Sequence, residues 1–392
     1  MSSRSETRSL IGGLLHSVVA ACESPLPRYM VPNRIHHFQH MPWNVNGKID
    51  RPKIAECCLT GARSRFVKAE NLSAPMIVCF AAFLLATSTF SSGQSRPQPL
   101  AGKNYSETMV WDGITRYYRV HVPTGLPANP PLLLMLHATS LSPANNPPIL
   151  NSYGWQPLAD NYKFILVQPA STYNSQSGQW NWNAYYLSPA FTPAEVGTCT
   201  VPPATACPDD AGFLRNLIVT LTAQYNIDPN RVFVAGMSSG AMMAQRVGVE
   251  ISDLVAAIIP ASGQIVGQPT LPITLPGPPV APVSMQEWHG TNDGILQPCN
   301  YGLTSYSGYK VLMATVDDSF NYWVSQNACT QLQTTQPLCE NGKPNPNVQG
   351  NDATGCTSNV EVQFIWEGKL GHNWDPKNNE ARWQFFASHP KQ

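Results

Sequence analysis

Charge is what this sequence has least of. Asp, Glu, Lys and Arg make up 12% of its 392 residues, about half the usual ~25%. That excludes a chain kept disordered by charge repulsion. Neither sign is in excess, with 24 Lys+Arg against 24 Asp+Glu, so a nucleic-acid glove or a polybasic membrane binder is excluded. The ten cysteines include no C-x-x-C pair, which removes the commonest zinc signature, and no metal site is expected. No repeat occurs, and no uncharged apolar run reaches the ~20 residues of a membrane span. What is plentiful is apolar residues (43%), 36 Pro, 27 Gly and 10 Trp. Together these describe a compact, loop-rich globule with enough chain to bury a large core.

The neutrality is a cancellation. Residues 1–75 hold ten Lys+Arg and five Asp+Glu, a net of +5, while residues 76–392 hold 14 and 19, a net of −5. Between the two lies Met76–Phe90 (MIVCFAAFLLATSTF). Arg63, Arg65 and Lys68 precede this run and small polar residues follow it, the layout of a signal peptide covering 76–95. Cleavage near Ser92–Ser95 would leave six cysteines, Cys199, Cys207, Cys299, Cys329, Cys339 and Cys356. An even number suits disulfides in an extracellular, oxidising compartment. Cys199 and Cys207 are close enough for one local bridge, and the other four allow three pairings. A sequon, Asn104-Tyr105-Ser106, lies just beyond the joint.

In residues 1–75, Leu26-Pro27-Arg28-Tyr29-Met30-Val31-Pro32 and Asn46-Gly47-Lys48-Ile49-Asp50-Arg51 resemble two late motifs of nonribosomal peptide synthetase adenylation domains. The resemblance implies that Lys48 matches a lysine contacting the adenylate. The phosphate loop and acyl pocket of that family are absent, so the segment is expected to be a remnant without activity. His36, His37 and His40 read as a solvated face rather than a metal site.

From about residue 105 onward strands alternate with helices. Thr115–Val122 has period two, as a half-buried strand does. Pro131–His137, Phe164–Val167, Arg231–Ala235, Ala256–Pro260, Val283–His289 and Val360–Trp366 are short apolar runs of a parallel sheet covered on both faces. Helices are expected at Asp209–Tyr225, Ser239–Val249, Val316–Asn327 and Asn379–Ala387. The pattern predicts one α/β domain over 96–392, with a mostly parallel central sheet and helices on both faces. The Pro-rich stretch Gln268–Pro282 reads as a surface loop.

Gly236-Met237-Ser238-Ser239-Gly240 is a G-x-S-x-G between such a strand and such a helix, the context of a nucleophile elbow. A serine hydroxyl needs an adjacent base to act as nucleophile. In the strand–elbow–helix class the order is Ser, acid, His. Asp293, in His289-Gly290-Thr291-Asn292-Asp293, and His372, in Gly371-His372-Asn373-Trp374, satisfy that order and sit in loops after strands. Asp317 and Asp318 compete with Asp293 but start a helix, where capping explains them. His389 is the alternative base, near the C-terminus. Oxyanion donors are expected at the backbone amides of Ser239 and Thr139.

Taken together, LLLMLHATS, GMSSGAMM, HGTND and GHNW resemble secreted α/β-hydrolase esterases of the polyhydroxybutyrate depolymerase, feruloyl esterase and acetylxylan esterase family, over about residues 105–390. The resemblance implies Ser238 as nucleophile, Asp293 as acid and His372 as base. It also implies a carboxylic ester as substrate, polymeric in kind, with no cofactor. Two departures stand out. Ala138 replaces the family's glycine beside the oxyanion loop, and Asp375 replaces its proline after the base. His137, Trp180, Trp182, Trp288 and Trp374 are candidate substrate-binding residues, since indole faces can stack on sugar, phenolic or polyester groups; Trp155 is a further aromatic of that kind. Two other readings compete: a thioesterase tied to peptide synthesis, and a non-catalytic wall-binding protein. The working enzyme is expected to be a secreted monomer with no nucleic-acid partner and no stable membrane span.

Overall fold

Leu132–Leu136, five residues completely shielded from solvent, forms the middle of a ten-stranded sheet. The computed structural model describes residues 101–149, 153–175, 178–184, 208–266, 275–300, 302–306 and 309–392, all within one compact unit, Gln98–Gln392. Residues 1–75, the signal-like segment 76–95, the Cys199/Cys207 pair and part of the Pro-rich loop lie outside the described residues.

The strands of this sheet are β1 (Lys103–Trp111), β2 (Ile114–Val122), β3 (Leu132–Leu136), β4 (Ile165–Pro169), β5 (Val232–Met237), β6 (Ala257–Ala261), β7 (Ser284–Gly290), β8 (Gln331–Leu332), β9 (Gly350–Thr354) and β10 (Val362–Glu367). Their spatial order is β1-β2-β4-β3-β5-β6-β7-β10-β9-β8. The central block from β4 to β10 is parallel. Antiparallel strands close both edges.

Alternation along the central strands divides the core in two. Leu132, Leu134, Leu136, Val232 and Val234 pack with α2 (Asp210–Tyr225), α3 (Ser239–Glu250) and α4 (Val316–Gln326). Leu133, Met135, Phe233 and Ala235 face the other way, against α1 (Trp155–Tyr162) and α5 (Asn379–Ser388). Continuous apolar strands are therefore continuous because helices cover both faces. At roughly 25 cal/mol per Å² of apolar surface removed from water, this burial is the main favourable contribution to folding. The result is an α/β-hydrolase fold.

Helix starts follow their sequence signals. Asp209 caps α2 by accepting from the Gly212 amide, and Thr315 with Asp318 forms a capping box on α4, so Asp318 is a cap. Asp317 accepts from the Leu338 and Cys339 amides instead. Asp210 goes inward, to a buried ion pair with Arg116 at 2.6 Å. Elements without a sequence signal were those with weak patterns. β1 is an edge strand with mostly exposed residues. α1 carries Pro157 at its third position, where a missing N–H costs nothing. The four described cysteines pair as Cys299–Cys339 and Cys329–Cys356, one of the three arrangements left open.

Candidate active site

At the end of β5 the chain turns directly into α3, and Ser238 carries the turn. Its φ is 57° and ψ −120°, a backbone state that costs a non-glycine residue about 1–3 kcal/mol and is held by its surroundings. The flanking glycines serve close approach rather than positive φ. A Cβ on Gly236 would lie 2.1 Å from the Gly240 carbonyl oxygen. One on Gly240 would lie 2.3 Å from that of Leu136. Only hydrogens fit where α3 crosses the end of β3.

Three loops at the C-terminal ends of β5, β7 and β10 bring Ser238, Asp293 and His372 together. Ser238 Oγ is 2.9 Å from His372 Nε2. His372 Nδ1 is 2.7 Å from Asp293 Oδ2. The other carboxylate oxygen, Asp293 Oδ1, accepts from the amides of Ile295 and Leu296, each at 2.9 Å. Burial alone would raise the Asp293 pKa. Hydrogen bonds from His289 and His372 outweigh burial and hold the carboxyl well below the usual carboxylate range, so it is an anion at neutral pH. An imidazole held in this way can take a hydroxyl proton through Nε2 and keep the resulting charge against the carboxylate. His389 is elsewhere, bonded to Glu361 at 3.0 Å.

On the other side of Ser238 stands the segment after β3. The Ser239 and Thr139 amides have no acceptor among the described residues. The Ala138 amide, by contrast, donates to the Tyr153 hydroxyl at 3.1 Å. His137 is interior: burial pulls its pKa down to about 4, against the Ala138 carbonyl. It stays neutral, with Nδ1–H facing that carbonyl at 2.5 Å and Nε2 accepting from the Ser171 amide.

The candidate substrate-binding residues are all placed inside the fold. His137, Trp180, Trp182, Trp288 and Trp374 are each buried, so none presents a ring face to solvent. Their contacts correct the stacking expectation. Trp182 Nε1 donates to the His137 carbonyl, and Trp180 exchanges two backbone hydrogen bonds with Ser140. Thr139 Oγ1 donates to Asn181. The Trp180–Trp182 segment therefore braces the loop that carries Thr139. Trp155 is likewise core, ringed by Phe164, Trp374 and Phe386.

Trp288 and Trp374 grip a buried arginine. Arg382 lies 4.6 Å from the Trp288 ring and 4.1 Å from the Trp374 ring. It pairs with Glu367 at 2.9 Å and donates to the Asp375 carbonyl at 2.7 Å. Asp375, in place of the expected proline, accepts from the Lys377 amide and caps a short helical turn. The loop after His372 is thus pinned from below.

Sequence reasoning passed over Arg382, Tyr153 and the inward role of His289. A lone arginine in the aromatic stretch Arg382-Trp383-Gln384-Phe385-Phe386 was the available signal for the first. An open depression of about 410 Å³ borders the acid loop at Thr291, Asn292, Asp293 and Gln297, and Ser238 does not line it. Among the described residues no group of His, Cys, Asp and Glu is arranged to hold a metal ion. No described helix is long and apolar enough to cross a membrane.

The family described as Esterase PHB depolymerase matches residues 117–275, a stretch from β2 past the elbow. Poly(3-hydroxyalkanoate) depolymerase C of Paucimonas lemoignei is 26% identical over 268 residues, 60% of this chain and 60% of that protein. Feruloyl esterase B of Piromyces equi is 28% identical over 179 residues, 45% of this chain and 32% of that protein. The chain thus spans about three fifths and one third of these two relatives. Among solved structures, an acetyl xylan esterase from Aspergillus awamori matches at a TM-score of 0.45 and 17% identity, covering 73% of this chain and 99% of that one.

Proposed function

We propose that the protein is a secreted serine esterase that hydrolyses carboxylic esters of a polymeric substrate. One observation carries the reading: Ser238, on a left-handed elbow, has its hydroxyl 2.9 Å from an imidazole whose other nitrogen is 2.7 Å from a buried carboxylate. Ser238 Oγ attacks the ester carbonyl as His372 Nε2 takes its proton. Asp293 holds the imidazole in the tautomer with Nε2 free and stabilises the imidazolium. The amides of Ser239 and Thr139 receive the oxyanion, a contribution of about 10²- to 10³-fold in kcat per donor in such sites. His372 returns the proton to the leaving alcohol, and water activated by the same nitrogen frees the acyl group. No cofactor enters any step.

The relatives' names support the substrate class: a polyhydroxyalkanoate polyester, or a feruloyl or acetyl ester of plant cell-wall polysaccharide. The two disulfides support an oxidising compartment. The acting unit is the region from about residue 96 to 392, with the adenylation-like stretch playing no part. The test is fluorophosphonate labelling, which should mark Ser238. In parallel, Ser238→Ala should lose at least about 10⁴-fold in kcat on a short p-nitrophenyl ester. Retained hydrolysis in that variant overturns the assignment. A panel of polyhydroxybutyrate, methyl ferulate and acetylated xylan then selects the ester.

A further inference from the structure

Asp293 makes more bonds than orienting one imidazole requires. Besides the two amides on Oδ1, its Oδ2 meets two imidazoles: His372 Nδ1 at 2.7 Å and His289 Nε2 at 3.1 Å. His289 is the second-last residue of β7 and is completely buried. Its Nε2 also lies 3.0 Å from the Leu296 carbonyl, which can only accept, so this nitrogen carries a proton. The imidazole thus ties the carboxylate to the strand behind it.

Behind His289 the core is polar by construction. Glu287, two residues earlier and on the same face of β7, is also fully buried. Its Oε2 accepts from Ser319 of α4 at 2.7 Å and Gln245 of α3 at 3.3 Å. Gln245 is fixed in turn by Trp323 Nε1 at 2.6 Å. Two atoms of this cluster lack hydrogen-bond partners, Glu287 Oε1 and His289 Nδ1, and they face each other at 4.0 Å. A carboxylate placed among helices and strands is costly unless it answers a charge or proton. An imidazole is the group it answers here.

We propose that His289 is a positioning residue: bonded to the same Asp293 oxygen as His372 and backed by Glu287, it fixes that carboxylate and moderates the negative charge shown to the base. The inference rests on the serine-esterase reading. Protons on Asp293 Oδ2 from two sides divide its lone-pair density. Removing the His289 donor leaves more of it for His372, which then holds a proton more tightly. The groups facing His289 are Glu287 on its own strand, Asp293 on the following loop, the Leu296 carbonyl and, from β10, the uncharged Trp366 ring at 6.4 Å. His372 faces Asp293 and Ser238, with Asp375 on its own loop.

The test compares full-chain wild type, His289→Leu, His289→Gln and the double variant Glu287→Gln/His289→Leu, which leaves no buried charge unanswered. Loss of hydrolysis in Ser238→Ala establishes the underlying reading; hydrolysis retained there overturns the serine-esterase assignment and the role of His289 with it, whereas the His289 variants test that role by itself. With it established, His289→Leu and the double variant should lower kcat about 10- to 100-fold through misplacement of the base, with KM little changed. The acid limb of kcat/KM should move to higher pH by roughly half a unit or more. His289→Gln, which keeps an N–H, should lie between them and wild type. A merely structural residue lowers active enzyme without moving the limb. An unmoved acid limb in the leucine variants, read on the double variant if the single fails to fold, overturns the proposal.

Discussion

Replacing Arg382 should show how the base loop is held. In the native fold its guanidinium is fully buried between two indoles, with Glu367 at 2.9 Å. Burial pulls the Arg382 pKa down to about 10 and pushes that of Glu367 up, in each case against the attraction of the partner. The pair therefore gains little over an apolar filling, whereas either ion alone would be badly placed. Arg382→Met keeps most of the packing volume but leaves Glu367 with only the Asn378 side-chain amide, and the Asp375 carbonyl with only the long bond from the Asn378 backbone amide at 3.3 Å. The expected loss is about 3–5 kcal/mol. In a domain of this size that is roughly 5–8 °C in Tm. Adding Glu367→Gln should recover a large part of it.

The loss should also depend on pH. Without Arg382 the folded-state pKa of Glu367 rises further above its unfolded value. Stability present at low pH is then lost as pH rises through the folded value, so the deficit widens from pH 5 to pH 8. Denaturant unfolding of wild type, single and double variants across that range is the assay, with kcat on a soluble ester as second readout. A single-variant loss under about 1 kcal/mol, or a double variant no better than the single, would refute this reasoning.

Two further outcomes follow from particular contacts. A methyl at Gly290 would sit 2.3 Å from the Leu370 carbonyl oxygen and 2.6 Å from that of Gly371. Gly290→Ala should therefore push the segment before His372 outward and reduce kcat/KM by about 10-fold or more; an unchanged rate would mean the base loop is not set by this approach. For His289, burial lowers the pKa, but the Asp293 hydrogen bond and the Glu287 carboxylate outweigh it and lift it to about 9 from 6.5. A raised value gives stability that is complete below the unfolded pKa and lost as pH rises through the folded one. Glu287, itself lifted by burial, pulls the same way. The unfolding midpoint of wild type should thus fall between about pH 6.5 and 9, and the fall should flatten in the Glu287→Gln/His289→Leu variant; equal slopes would show that the buried pair does not titrate.

The parts of this molecule legible in the sequence were those written in local pattern. Five-residue apolar runs announced strands covered on both faces, and G-x-S-x-G between strand and helix announced the elbow. Chain order then selected Asp293 and His372 from the remaining acids and imidazoles. The tryptophans were misread because residue type reports an apolar ring with one donor, not which way it points. Trp180 and Trp182 turned inward because their backbone and Nε1 groups brace the Thr139 loop, and Trp288 and Trp374 because Arg382 lies between them.

Local chemistry in the chain by itself therefore determined the class of fold, the position of the turn at Ser238 and the three residues the loops bring together. Tertiary structure alone decided the disulfide partners, the burial of the aromatic set, the Arg382 clamp and the second imidazole on Asp293. The physical reason is distance along the chain. Asp293 and His372 are 79 residues apart, and Glu287 meets Gln245 across 42. Periodicity tells which side of a strand a residue occupies, but only packing the helices onto the sheet determines what waits there.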